Sequence, residues 1–193
     1  MGSVMSADYA AQRSNMVESQ VRTADVTDYA LQDAMRAVPR ERLVPAAKAA
    51  LAYADTEVEY APGRFHQRPR DVAKLLQAIR PQRGEKALAI AAPYAAAVME
   101  AMGLSVTRLD NGDLAAPKGA YDVIVCEGAV DKLPAGWGAA LAGDGRLGVI
   151  ERAGPVGRAK LYLCAGSGVG GRDLFDCMAP FLPGFEPTPG FVF

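Results

Sequence analysis

Residues Ala87 to Val98 read ALAIAAPYAAAV, an apolar strand running straight into an alanine-rich helix. A strand without polar alternation is buried on both faces. Strand–helix units in series therefore build a parallel sheet covered by helices on both sides. The rhythm continues down the chain. Strands are expected at Lys86–Ala91, Ser105–Asp110, Asp122–Cys126 and Arg146–Glu151, and helices at Tyr94–Met102 and Leu133–Leu141. Lys160–Cys164 and Gly190–Phe193 also read as strands, a pair able to close an otherwise parallel sheet, with the turn-rich LPGFEPTPG before the last.

The chain before this is helical. Residues 6–24 form a polar amphipathic helix with Tyr9, Met16 and Val21 among its apolar positions. Asp25 or Thr27 can cap the next helix, which places Leu31, Ala34, Met35 and Val38 at helical spacing and stops at Pro39. A short helix follows Pro45, TEVEYAPGRFHQR is loop or short strand, and Pro69–Arg80 is a clear amphipathic helix. The expected organisation is one domain over residues 1–193, with a helical part at 6–80 and a sheet part at 86–193.

Of the 193 residues, 50% are hydrophobic and 22% charged, ordinary for a chain with a packed core. A net charge of -1 with scattered Lys and Arg gives no pull toward nucleic acid or anionic membrane. The N-terminus has no apolar targeting segment and nothing later is long enough to span a bilayer, so a cytoplasmic protein is expected. The three cysteines, Cys126, Cys164 and Cys177, are far apart and odd in number, which fits reduced buried thiols. One histidine and no Cys-x-x-Cys pair argue against a metal site. The stretch Gly166–Asp173, GSGVGGRD, lacks the Lys-Ser/Thr ending of a phosphate loop and reads as a flexible hairpin-type connection.

The turn between the first sheet strand and its helix, Ala91-Ala92-Pro93, has no glycine. Glycines at such a turn let backbone approach a cofactor with no Cβ in the way. Here methyl groups intervene, and Pro93 removes a backbone donor.

Several segments, in order, carry a resemblance. They are RSNMVESQVRTADVTD, LQDAMRAVPRERLVP, DVAKLLQAI, YDVIVCEGAV, GDGRLGVIERAGPVGRAKLYL and LPGFEPTPGFVF. Together they resemble the protein-L-isoaspartate O-methyltransferase family, especially its shorter bacterial members. The resemblance implies a Rossmann-like class I methyltransferase fold with N-terminal helices. It also implies S-adenosylmethionine as cofactor and methyl transfer to the free carboxylate of an L-isoaspartyl residue. Such catalysis is mostly placement of the carboxylate in line with the sulfonium methyl.

Three departures from the family pattern follow. The family's cofactor turn is Asp-x-Gly-x-Gly-x-Gly-Tyr; here Ala89 stands for the aspartate, Ala91 for the first glycine, and Tyr94 for the tyrosine, with the turn about two residues shorter. Asp110 fills the place of the family's ribose-binding acid, but NGDLAAPKGA then leads almost at once to the fourth strand. A helix and a strand are missing, about 20–30 residues at usual βαβ length. The sheet is thus truncated and its second strand becomes an edge. The loop Pro62–Arg68 lacks the family's Thr-x-x-Ser-like element.

Vestigial cofactor positions are therefore Ala91, Tyr94, Asp110 and Glu127, and substrate candidates are Arg64 and His66; no catalytic residue or metal ligand is assigned. Each has a plainer reading. Asp110 is a polar strand end capping a turn with Asn111 and Gly112, and His66 is a solvated loop histidine. Tyr94 is a core aromatic or a stacking group, and Glu127 a surface acid or a partner for the cofactor amine. The expectation is a catalytically degenerate, S-adenosylmethionine-free homologue that binds a protein partner or a second copy through its exposed sheet edge. The alternative is an active methyltransferase in protein repair.

Overall fold

The computed structural model describes residues 8–165 and 168–188. The apolar run of β3 (Lys86–Ile90) lies inside a six-stranded sheet of order β4-β3-β5-β6-β7-β8. It pairs in parallel with β4 (Ser105–Leu109) and β5 (Tyr121–Val130), and β5 pairs in parallel with β6 (Leu141–Glu151). β7 (Gly157–Ala165) and β8 (Gly168–Cys177) add antiparallel strands at the far side. The mostly parallel α/β sheet expected from the strand–helix rhythm is present, with β4 at its edge.

Period-two alternation divides the core. Ala87, Ala89, Val123 and Val125 face one cluster with the N-terminal helices, while Leu88, Ile90, Ile124 and Cys126 face the other. The first face is covered by α1 (Tyr9–Met16), α2 (Tyr29–Ala37), α3 (Pro69–Ile79) and α4 (Pro93–Ala101). α3 lies directly on β6 because Gly148 lets it. A β-carbon there would sit 2.5 Å from Ile79 Cδ1. Arg146, also on β6, donates to the Ile79 and Arg80 carbonyls at the end of α3 and pairs with Glu85.

The second face has little helix. α5 (Ala135–Ala139) is shorter than the expected Leu133–Leu141, since Gly136 and Gly138 weaken it and β6 begins at Leu141. Residues 110–120 contain neither helix nor strand and fold onto α5 instead. Leu114 is buried, and its carbonyl accepts the Trp137 indole N–H at 2.6 Å. A β-carbon on Gly136 would meet the Ala115 carbonyl oxygen at 2.2 Å. The abbreviated loop thus takes over part of the covering that a helix layer would provide.

Other expectations change in detail. The first helix breaks at Met16 into a wide turn and a 3₁₀ turn, ended by Asp25 in the left-handed region at φ 61°. α2 is capped by Asp28, which accepts from Leu31 N at 3.0 Å, and not by Asp25 or Thr27. The segment after Pro45 is a 3₁₀ helix, Ala46–Leu51. Gly168–Asp173, expected in a flexible connection, belong to β8, where pairing with β7 supplies their backbone partners. The strand expected at Gly190–Phe193 lies outside the described residues. Cys126 and Cys177 are buried thiols, whereas Cys164 is only partly so. Among the described residues no helix is long and apolar enough to cross a membrane.

Candidate functional site

In parallel α/β sheets the carboxyl ends of the strands form the binding edge. Here that edge is covered by the protein itself. A small hairpin, β1 (Val58–Ala61) and β2 (Arg64–His66), lies across it. Tyr60 donates its hydroxyl to the Ala91 carbonyl at 2.9 Å, and the Arg64 guanidinium donates to the Asp110 carbonyl. From the other side the C-terminal segment pairs with β5. Leu182 N–H donates to the Ala129 carbonyl at 2.8 Å and the Leu182 side chain packs over Gly128.

Ala91 and Ala92 are both wholly buried. Ala91 stands at φ 46°, in the region that a β-carbon disfavours. Pro93 opens α4, so the first helical position offers no donor.

Glu127 is where the chemistry of this edge concentrates. It sits on β5 next to an irregularity in pairing between Val125 and Ala129, and is 2% exposed. Its Oε1 accepts from Ala95 N at 2.8 Å, in the first turn of α4. Its Oε2 accepts from Gln67 N and faces His66 Nδ1, each at 3.2 Å. A carboxylate at a helix N-terminus meets free amides and the positive end of the helix dipole. Burial pushes the Glu127 carboxyl upward, but His66, the Arg40 charge and the Ala95 amide outweigh it and hold it below the ordinary range.

His66 is fully buried, not solvated. Its Nε2 lies 3.0 Å from the Leu43 carbonyl while Nδ1 faces Glu127, so both ring nitrogens meet acceptors. The Tyr60 ring packs 4.6 Å away, centroid to centroid. Arg40 completes the knot. Its guanidinium is buried, donates from Nη2 to the Gln67 carbonyl at 2.6 Å, and lies 4.4 Å from the Tyr94 ring centroid. Burial lowers the pKa of Arg40 and pushes Tyr94 up to about 12.

The structure thus brings His66, Tyr94 and Glu127 together in one buried cluster, with Arg64 and Asp110 joined beside it. It removes the surface reading of Glu127, and Tyr94 is a core aromatic. In the loop after β4, Asp113 accepts from Ala115 N at 3.0 Å, and the Asp110 carbonyl takes the Arg64 guanidinium. Arg64 spends its charge on a backbone carbonyl. Sequence reasoning missed Arg40, Gln67 and Tyr60. The motif VPRERLVP drew attention to Arg40 only as part of a pattern, and nothing local distinguishes it from the exposed Arg42. Among the described residues no cluster of His, Cys, Asp and Glu could hold a metal ion.

Comparison with known proteins agrees with this architecture. The family described as protein-L-isoaspartate(D-aspartate) O-methyltransferase matches residues 11–109, ending on the last residue of β4 where the abbreviated loop begins. A protein-L-isoaspartate O-methyltransferase of Methylorubrum extorquens is 32% identical over 197 aligned positions, covering 88% of this chain and 84% of that protein. One of Methylorubrum populi is 38% identical over 103 residues, which span 52% of this chain and 49% of that relative. Among solved structures, a protein-L-isoaspartate O-methyltransferase of Plasmodium falciparum in complex with S-adenosyl-L-homocysteine superposes with a TM-score of 0.71 at 16% identity, covering 88% of this chain and 97% of that one. Another protein-L-isoaspartate O-methyltransferase gives a TM-score of 0.70 at 19% identity, covering 89% of this chain and 66% of that one. At such identities the superpositions speak for the fold.

Proposed function

Because this chain belongs to the protein-L-isoaspartate O-methyltransferase family, we propose that it is a member whose cofactor edge has closed, and that it acts as a binding protein rather than as a methyltransferase. The observation that carries this reading is the occupation of the edge by the protein's own groups. Tyr60 takes the Ala91 carbonyl, Arg64 takes the Asp110 carbonyl, and Glu127 takes the Ala95 amide. S-adenosylmethionine fits these residues poorly. It would need backbone approach at Ala91 and Ala92, which are sealed, and a wall beyond β4, where residues 110–120 have folded onto Trp137 instead. The end of the family match at residue 109 supports the same reading. As part of it, we propose that the open β4 edge pairs with a second copy of the chain.

A second reading is an active S-adenosylmethionine-dependent methyltransferase acting on L-isoaspartyl carboxylates. One observation favours it: the relative from Methylorubrum extorquens, similar over 88% of this chain, bears that activity in its name. Titration calorimetry with S-adenosylmethionine and S-adenosylhomocysteine separates the two. The first reading expects no binding heat. A micromolar dissociation constant, near -8 kcal/mol, would reverse the preference.

A further inference from the structure

Two buried acidic groups outside the Glu127 cluster meet at the start of α3. Asp71 stands in the first turn of that helix and is 7% exposed; Cys177, the last residue of β8, is 4% exposed. The Cys177 thiol donates to Asp71 Oδ2 at 3.4 Å. Among the described residues it is the one hydrogen-bond donor the carboxylate has. Arg70 Nε lies farther off, at 3.7 Å, and no amide of the helix's first turn reaches it. A thiol is a weak donor, so an ionised carboxyl here recovers little of the hydration it has lost.

The charges around Asp71 are engaged elsewhere. On α3, Arg70 also faces Asp55 at 3.4 Å, and Lys74 lies over the Phe175 ring. Before the helix, Arg68 pairs with Glu57 at 3.0 Å, and on β8 Asp176 pairs with Arg158 at 3.3 Å. From the first helical segment only the uncharged Ser19, Gln20 and Thr23 join them, around a cavity of about 320 Å³ that Asp71 borders. Burial therefore pushes the Asp71 carboxyl above its ordinary range, with Glu57 adding to it, against the smaller pull of Cys177, Arg70 and Arg68. Burial also pushes the Cys177 thiol up, which keeps it a donor.

The pair sits where the chain leaves the sheet. Cys177 is paired with Gly157, where a β-carbon would meet the Cys177 carbonyl oxygen at 2.6 Å. Beyond it the chain crosses the carboxyl end of β5. There Ala129 N donates to the Pro180 carbonyl at 2.7 Å, and Leu182 N to the Ala129 carbonyl at 2.8 Å. The seat of Cys177 on α3 is thus the near anchor of this C-terminal cover.

We propose that the Asp71–Cys177 contact is a proton-sensitive clasp on the C-terminal cover, seated firmly when the carboxyl is protonated and opened more readily when it is ionised. As a control on access to the strand ends, the clasp rests on the closed-edge reading. The sign follows from solvation. Opening exposes Asp71 to water, where its pKa is about 3.9. Protection of the cover is full below that value and is lost as pH rises through the higher folded value.

The test is residue-resolved amide exchange by NMR on the full chain between about pH 4 and pH 8. It is expressed as protection factors, which remove the chemical dependence of exchange on pH. The Leu182 amide should be less protected than Ile124 in the middle of the sheet, and its protection should fall at least about threefold as pH rises, each unit of raised pKa being worth about tenfold. D71N should abolish the fall, and C177A, which removes the donor to the carboxylate, should move it to higher pH. The Asp71 carboxyl carbon of the unaltered protein should titrate above the ordinary range. A flat profile, the same fall in D71N, an unmoved fall in C177A, an ordinary Asp71 titration, or Leu182 as protected as Ile124 would each overturn the clasp. Calorimetry with S-adenosylhomocysteine on the same sample keeps the two claims apart. Cofactor binding with the profile intact would refute the closed edge alone, and a flat profile without cofactor binding would refute the clasp alone.

Discussion

Ala91 holds a β-carbon at φ 46° in a fully buried turn, a position where glycine is at ease. Replacing it with glycine should therefore stabilise the protein by up to about 1 kcal/mol, even though the change also loosens the unfolded chain. Urea unfolding measures it, and a loss of stability would mean the turn is not strained. Glu127 makes the opposite case. Glu127→Gln keeps an acceptor for Ala95 N but strips the charge facing His66 and Arg40, and should cost about 3 kcal/mol. The sign with pH follows from the lowered carboxyl pKa. The ionised carboxylate contributes fully above the unfolded value of about 4.3, and the contribution is lost as pH falls through the lower folded value. The stability gap between parent and E127Q should be level near neutrality and shrink on acidification. A gap that does not change between neutral pH and pH 3 would remove Glu127 from this role. None of this was legible at His66 itself. Its surroundings in sequence are polar, and its burial comes from Leu43 and from Glu127, 61 residues away.

Among the elements, the strands were readable because alternation runs through them. Leu88 and Ile90 serve one face while Ala87 and Ala89 serve the other, and no tertiary knowledge is needed to see an apolar strand there. The absent helix and strand after β4 were readable as a gap in length. What filled the gap was not, because the contact between Leu114 and Trp137 joins segments with no shared local pattern. Gly136 tests it. Gly136→Ala would drive a methyl into the Ala115 carbonyl and should destabilise by about 1–3 kcal/mol; a neutral change would show that the loop does not lie on α5. β4 is the other informative element. Ser105, Thr107 and Arg108 are exposed along it, and its outer backbone is unpaired among the described residues. Sedimentation velocity should find dimers at high concentration that S105K/T107K converts to monomers through edge repulsion. A parent chain that stays monomeric throughout contradicts pairing at β4.

For the molecule as a whole, family membership and the proposed loss of cofactor binding are separate matters. The sheet order, the N-terminal helices and the α3–β6 contact keep the scaffold. The hairpin over Ala91 and Asp110, the buried Glu127 carboxylate at the N-terminus of α4 and the C-terminal segment on β5 lie over the carboxyl ends of the strands, and on them the proposed closure rests. A crystal of the unaltered protein grown with excess S-adenosylhomocysteine examines that closure directly. The expected density has Tyr60 still on the Ala91 carbonyl and no ligand at the tip of β3. Density for an adenosyl group lying over Tyr94 and Asp110, with the hairpin displaced, would contradict it.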